Sequence, residues 1–405
     1  MTNNTTQLKR DYFWNTAASL TSSLALVIML TAVTRSTDIA IAGSFSLAIS
    51  IGQQFQALGM YEVRTFHVTD VENEYRFGTY LSTRIITSIA MIIGIVIYCG
   101  LSSRDIGTFW TLTLVALLRL YDTFEDVFYS EFQRSNHLDI GARGSFIRIC
   151  STIISFSLGI FLTTSLIWAA IIAIIISTAA FLAVFIPYSR SIFSLRPQWQ
   201  KSSIIRLLKQ CLPLFLASFI SIYLVNAPRF AIDHYLDNTS QGYFAIIYMP
   251  AVAINMLSLL VFRPLLTPLA TKWAEGDKKA FNALINKGLF ATLGAFIAVS
   301  LVAVTIGVPI LNVVFRNDIS HLRLELLVLI GAGCLNAASV ILYYALTTMR
   351  KQNKVFICYI CAALTVFIAC LILVPTMALL GAAWAYTAAM AVLCLAFTIS
   401  LKTKN

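Results

Sequence analysis

The sequence predicts an all-α integral membrane protein of about twelve transmembrane helices. Three observations predict it: hydrophobic residues fill 59% of the 405 positions, charged residues only 12%, and mean hydropathy is +0.81. Soluble domains are roughly a quarter charged and under half apolar, so no stretch of this chain is polar enough to coat one.

A helix needs about 20 mostly apolar residues to cross the hydrocarbon core. Such stretches lie at 16–34, 38–60, 79–101, 107–130, 142–163 and 165–187. After a basic gap they recur at 210–232, 240–262, 284–310, 324–347, 354–375 and 378–400. Glycine and proline inside them are tolerated because neighbouring helices re-satisfy the backbone. A β-barrel would alternate polar and apolar over ten-residue segments, and the continuous run from Ile171 to Ile176 does not.

Lysine and arginine in the loops set orientation. With both termini and every second loop from 61–78 onward in the cytoplasm, that side collects 23 of the 29 basic residues. The opposite side holds Arg35, Arg104, Arg316 and Arg323, and Arg119 and Arg229 fall inside spans. The net charge of +11 then faces anionic membrane lipids, and nucleic acid is not needed to explain it. The first apolar run continues to Val33 and eleven more spans follow, which reads as a mature helix and not a signal peptide.

Enzymatic and metal chemistry find little support. Cys358 and Cys361 form a CxxC on an apolar helix with no partner pair, and the four histidines are scattered over loops. No HExxH, nucleophile elbow or phosphate-cradling glycine loop occurs. No catalytic residue, metal ligand or cofactor is expected.

A shift of 199 residues superimposes 18–64 on 217–263 with nine identities. Among them, Asp38/Asp237 and Gly43-x-Phe45/Gly242-x-Phe244 open the second helix of each half, and Arg64/Arg263 closes it. Two six-helix lobes follow, 1–200 and 201–405, related by a parallel repeat about an axis along the membrane normal. Transporters built this way hold substrate near the midplane between lobes.

The fourth span carries the most unusual chemistry. Arg119, Asp122, Asp126, Tyr129 and Gln133 fall on one helical face, bordered by Glu125, with Leu117, Leu120, Phe124 and Phe128 opposite. Arg119 lies ~18 Å into the span at 1.5 Å per residue, where a central arginine costs at least ~2.5–3.5 kcal/mol. One reading is a structural ion pair with Asp122 or Asp126. The other is a polar cavity, which the surplus of acids over Arg119 favours. Asn226, Arg229 and Asp233 repeat the theme in the seventh span beside Pro228, where Arg229 could also snorkel outward. Asn15, Ser19, Ser22 and Ser23 share a face of the first span, and Ser46, Ser50, Gln53 and Gln54 one of the second. These glutamines suit sugar hydroxyls, and Arg64, Arg84, Arg148 and Arg263 would form a cationic mouth for a phosphorylated headgroup.

Several segments carry a family resemblance: Arg10-Asp-Tyr-Phe-Trp-Asn15, Ala42-Gly-Ser-Phe-Ser-Leu-Ala48 and Glu125-Asp-Val-Phe-Tyr129 with Gln133 and Leu138-Asp139. Asn226-Ala-Pro-Arg-Phe-Ala-Ile-Asp233 and Phe262-Arg-Pro-Leu-Leu-Thr-Pro268 carry it in the second half. Along its whole length the chain resembles the bacterial polysaccharide flippases, the O-antigen and exopolysaccharide exporters of the multidrug/oligosaccharidyl-lipid/polysaccharide flippase superfamily. The resemblance implies a multi-pass protein of the bacterial cytoplasmic membrane that carries an undecaprenyl-pyrophosphate-linked oligosaccharide to the outer leaflet by alternating access, alongside polysaccharide polymerase machinery. The headgroup would meet Arg119, Arg64, Arg263, Arg229, Arg84, Arg148, Asn15, Gln53 and Gln54. Asp122, Glu125, Asp126 and Asp233 would serve coupling to a proton or sodium, or gating. An ion-coupled multidrug exporter of the same fold is the main alternative, though Arg119 does not suit a cation cavity. A membrane glycan polymerase or acyltransferase is the second, but the outer loops are short and place no histidine beside a partner.

Overall fold

The computed structural model describes residues 2–70, 74–103, 105–262 and 265–403. It is helical, with no β-strand among the described residues. The chain divides into two compact units, Met1–Phe219 and Ile220–Asn405.

The first unit contains α1 (Thr2–Ser36), α2 (Ile39–Met60), the short α3 (Val63–Thr69), α4 (Phe77–Ser102), α5 (Ile106–Leu117), α6 (Arg119–Arg134), α7 (Leu138–Thr163), α8 (Leu166–Ile192) and the start of α9 (Lys201–Tyr235). The second continues with α10 (Asn238–Phe262), α11 (Leu266–Ala274), α12 (Lys278–Val302), α13 (Val308–Phe315), α14 (Arg323–Thr348) and α15 (Gln352–Lys402). Residues 303–307 form a π-helical turn that joins α12 to α13. α15 is two helices merged across a break at Ala378 (φ 49°), with Pro375 just before it.

Eight helices among the described residues are long and apolar enough to cross a membrane, which makes this a multi-pass membrane protein. α2 falls short because Gln53, Gln54 and Gln56 interrupt its apolar run. α5 and α6 are each too short alone, separated at Leu118 directly before the charged stretch.

α4 shows why the chain folds this way in lipid. Its outward face carries Ile86, Ile89, Ile93 and Ile97, all exposed, while Thr83, Arg84, Thr87 and Ser88 are buried. The apolar face meets hydrocarbon, and the polar face must find partners inside the protein. Arg84 finds Asp126 of α6, Thr87 donates to the Gly59 carbonyl of α2 and Thr83 to the Thr79 carbonyl of its own helix. α6 itself packs against α2, α3, α4, α7 and α8. Close approach needs glycine at Gly52, where a Cβ would come 2.8 Å from the Ala116 carbonyl and 3.0 Å from the Arg119 side chain. In the second unit α14 is central, against α10, α12 and α15. Asp105 and Asp277 cap α5 and α12 by accepting from Thr108 and Ala280 backbone N–H groups, both at 2.9 Å.

Candidate functional site

Along α6 the charged side chains form successive clusters, each closed by residues from a different helix. At its start Arg119 Nη1 donates to Asp122 Oδ2 at 3.1 Å. The other oxygen of Asp122 accepts from Arg148 Nη2 of α7 at 2.5 Å, and Arg148 Nε donates to Glu125. Arg148 is 2% exposed, whereas Arg119 and Asp122 keep side-chain exposures of 20% and 23%. They can, because both line a cavity of ≈ 50 Å³ with Ser22, Met29 and Arg148. That volume is enough for water, which needs roughly 10–15 Å³.

Two turns on, Asp126 accepts from Arg84 Nη2 of α4 at 2.7 Å and from Arg64 Nη1 of α3 at 3.1 Å. Arg84 has no exposure and also donates to the Gly59 carbonyl at 2.7 Å. Arg64 continues to Gln133 Oε1 at 2.9 Å and lies 4.7 Å over the Tyr129 ring. Tyr129 donates its hydroxyl to Asn15 Oδ1 at 2.6 Å. Gln54 is buried and donates to the Phe219 carbonyl at 3.1 Å, leaving its own oxygen without a partner among the described residues. Gln53 is half-buried beside it.

The polar stripe read from the sequence is therefore a set of compensated charges within the first unit. Three arginines from other helices (Arg64, Arg84 and Arg148) meet the acids of α6, and Arg64 and Arg119 keep partial exposure while Arg84 and Arg148 are buried.

The second unit is built differently. Asn226 and Arg229 of α9 are 1% and 5% exposed. The Arg229 guanidinium rests 4.5 Å over the ring of Tyr248 and 5.7 Å from that of Phe244, both on α10. Tyr248 in turn donates to the Tyr386 hydroxyl at 3.2 Å. Gln241 shares the α10 face of Phe244 and Tyr248 and is 1% exposed. Both amide atoms of Asn226 and of Gln241, and Nε of Arg229, have no partner among the described residues. Aromatic faces hold this guanidinium where carboxylates hold those of the first unit. Asp233 is half-buried one turn further along α9. Arg263 lies outside the described residues.

Sequence reasoning passed over a further cluster at the end of α6. His67 of α3 approaches Glu131 Oε2 at 2.6 Å. Arg134 donates to the other Glu131 oxygen at 2.9 Å, and Asp70 lies 3.6 Å from Arg134. Glu131 did leave a signal: at 100° per residue it falls on the apolar face of Leu120, Phe124 and Phe128, where an acid needs a buried partner. Its partner lies 64 residues away, and spacing along one helix cannot reveal that.

No protein-family profile and no curated protein sequence matches the chain. Solved structures do match. The lipid II flippase MurJ in an inward closed conformation has a TM-score of 0.72 at 16% identity, covering 95% of this chain and 87% of that one. An inward-facing multidrug resistance MATE family transporter of the MOP superfamily gives 0.68 at 12% identity, covering 94% and 93%. A MOP superfamily transporter from Pyrococcus furiosus, whose binding pocket is described as reversed in polarity, gives 0.56 at 13%, covering 98% and 94%. Across nearly its whole length, this chain has the fold shared by the lipid II flippase MurJ and the MATE transporters of the MOP superfamily.

Proposed function

We propose that the protein is a flippase that moves a lipid-linked, anionic oligosaccharide from the inner to the outer leaflet of the bacterial cytoplasmic membrane. It does so by alternating access, with about twelve crossings and both termini cytoplasmic. It is a transporter and not an enzyme, and it serves surface polysaccharide synthesis beside the polymerase machinery.

The observation that carries this reading is Arg229, a 5% exposed guanidinium resting on Tyr248, with the amides of Asn226 and Gln241 in the same unit lacking partners among the described residues. A buried cation held by aromatic rings keeps its N–H edges for an anion such as a pyrophosphate, to which arginine binds in bidentate fashion. A cationic drug would be repelled. Sugar hydroxyls cost several kcal/mol each when buried unpaired, and amides such as those of Asn226 and Gln241 remove that cost. On an inside-negative membrane, outward movement of the anion gains ~2.3 kcal/mol per charge per 100 mV. Asp122, Glu125, Asp126 and Asp233 serve coupling or gating, with Arg119 as a secondary headgroup contact.

A second reading is an ion-coupled multidrug exporter. It is favoured by the carboxylates of α6 beside an open cavity and by the MATE fold. Binding to the purified protein separates the two. Undecaprenyl pyrophosphate should bind saturably and lose roughly 10–100-fold in affinity in Arg229→Gln, the worth of one or two charge-assisted hydrogen bonds. Saturable binding of a lipophilic cationic dye, with none of the pyrophosphate lipid, overturns the flippase reading.

A further inference from the structure

The connecting helix α3 is tethered at both ends in ways a plain loop would not need. It is entered through Tyr61 and Glu62, consecutive non-glycine residues at φ 48° and 53°. Such left-handed non-glycine residues are strained and persist only where their surroundings hold them. Tyr61 is held by stacking on Phe215, ring centroids 4.3 Å apart.

At the far end His67 has no exposure. Its ring stacks on Tyr80 at 3.9 Å and 13°, its Nε2 meets Glu131 at 2.6 Å, and its Nδ1 is buried without a partner among the described residues. The Tyr80 hydroxyl donates to Asp70 at 2.9 Å, which closes the cluster around Arg134.

This geometry fits a neutral imidazole. Nε2–H donates to ionised Glu131, and Nδ1 carries only a lone pair. A proton on Nδ1 would create a buried N–H with no acceptor among the described residues, which is unfavourable. The charged and titratable groups facing the ring are Glu131, Arg134 and Asp126 from α6 and Tyr80 from α4. Burial is the largest influence and holds the imidazole below its ordinary range. Glu131 pulls the other way, and Arg134 adds to the burial effect.

We propose that His67 and Glu131 form a proton-binding site that empties when α3 seats on α6 and fills when α3 lifts away. Lifting exposes Nδ1 to water, and the imidazole takes a proton from it. Reseating returns that proton to water, because the seated pocket offers Nδ1–H no acceptor. The strained Tyr61–Glu62 link favours lifting, and the His67–Glu131 bond opposes it. In a transporter this ties one proton to one movement at a single end of the protein. That role rests on the function proposed above, whereas the site does not.

The pH window follows from the direction of the shift. A lifted His67 titrates near the ordinary value of about 6.5, and a seated one lower. Above that value the hold of α3 is constant. Below it the hold weakens about tenfold per pH unit until the seated imidazole itself titrates.

The test uses the full chain in detergent micelles, ¹³C-labelled at its four histidines, with the His67 signal assigned by its loss in His67→Gln. A neutral, Nε2-protonated ring at pH about 7 is expected, with a midpoint below 6.5 that falls further in Glu131→Gln. Amide-exchange protection over 63–69 should drop about tenfold per pH unit below 6.5, and should be flat in His67→Gln. Should that variant fail to accumulate, helix α8, which holds no histidine, is the flat control within the wild type. A charged His67 at neutral pH, or α3 protection no more pH-dependent than that of α8, overturns the proposal. Flux of the lipid-linked cargo is measured separately, and its failure overturns the transporter reading alone.

Discussion

Asp126 and Arg84 meet 2.7 Å apart, and the arginine of this pair has no solvent exposure. The pair joins α6 to α4 at a point where neither helix has water to fall back on, and Arg64 completes it from α3. Two guanidiniums on one carboxylate make Asp126 the charged centre of the first unit.

Removing one partner should therefore unfold more than it frees. Arg84→Ala leaves Asp126 with the half-exposed Arg64 alone, and breaking a buried pair costs roughly 3–5 kcal/mol. Thermal melting in detergent and membrane abundance should both fall sharply. Replacing both residues, as Arg84→Met with Asp126→Leu, should restore much of the loss. Normal abundance in the single Arg84→Ala variant would contradict a structural role.

Arg119 should behave differently. It contributes one 3.1 Å bond to Asp122, and that acid keeps Arg148 at 2.5 Å when Arg119 is lost. Arg119→Ala should accumulate to near wild-type levels while glycan export falls, and Arg119→Lys should retain part of the export because charge survives without the bidentate fork. Loss of the protein itself, rescued by Asp122→Asn, would instead make Arg119 a structural residue.

Two glycines offer a matched packing test. At Gly52 a Cβ meets the Ala116 carbonyl at 2.8 Å, while at Gly294 nothing among the described residues lies within 4 Å. Gly52→Ala should destabilise by about 1–3 kcal/mol through overpacking. Gly294→Ala should be neutral or stabilise by about 0.4–1 kcal/mol, since alanine has less freedom to lose. Equal melting temperatures for both variants would show that α2 does not approach α5 and α6 this closely.

Sidedness can be checked by labelling single cysteines from each face of the membrane. Positions in 188–205 and 263–283 should react from the cytoplasm, and positions in 311–323 from outside. Labelling of 188–205 from outside would invert the arrangement argued from the 23 cytoplasmic basic residues.

The helical, membrane-embedded character was legible because lipid imposes it locally. Any segment crossing hydrocarbon must satisfy its backbone within itself and clothe itself in apolar side chains, so Ile86, Ile89, Ile93 and Ile97 announce their exposure through spacing alone. The charged face of α6 was legible for the same reason, as a run of ionisable groups where none is cheap. Which charges cancel was not legible. Arg148, Arg84 and Arg64 look in the sequence like cytoplasmic-end cations awaiting an anion, yet each closes on an acid of α6 from another helix. His67 looked like a loop histidine and is fully buried on Glu131. Arg229 looked like a residue able to snorkel and lies on aromatic rings. Sequence by itself determined the medium, the helices and the residue types, because those follow from one chain meeting one solvent. Tertiary structure alone decided which buried charges are compensated, because compensation depends on distances of 2–4 Å between residues tens of positions apart, which no periodicity records.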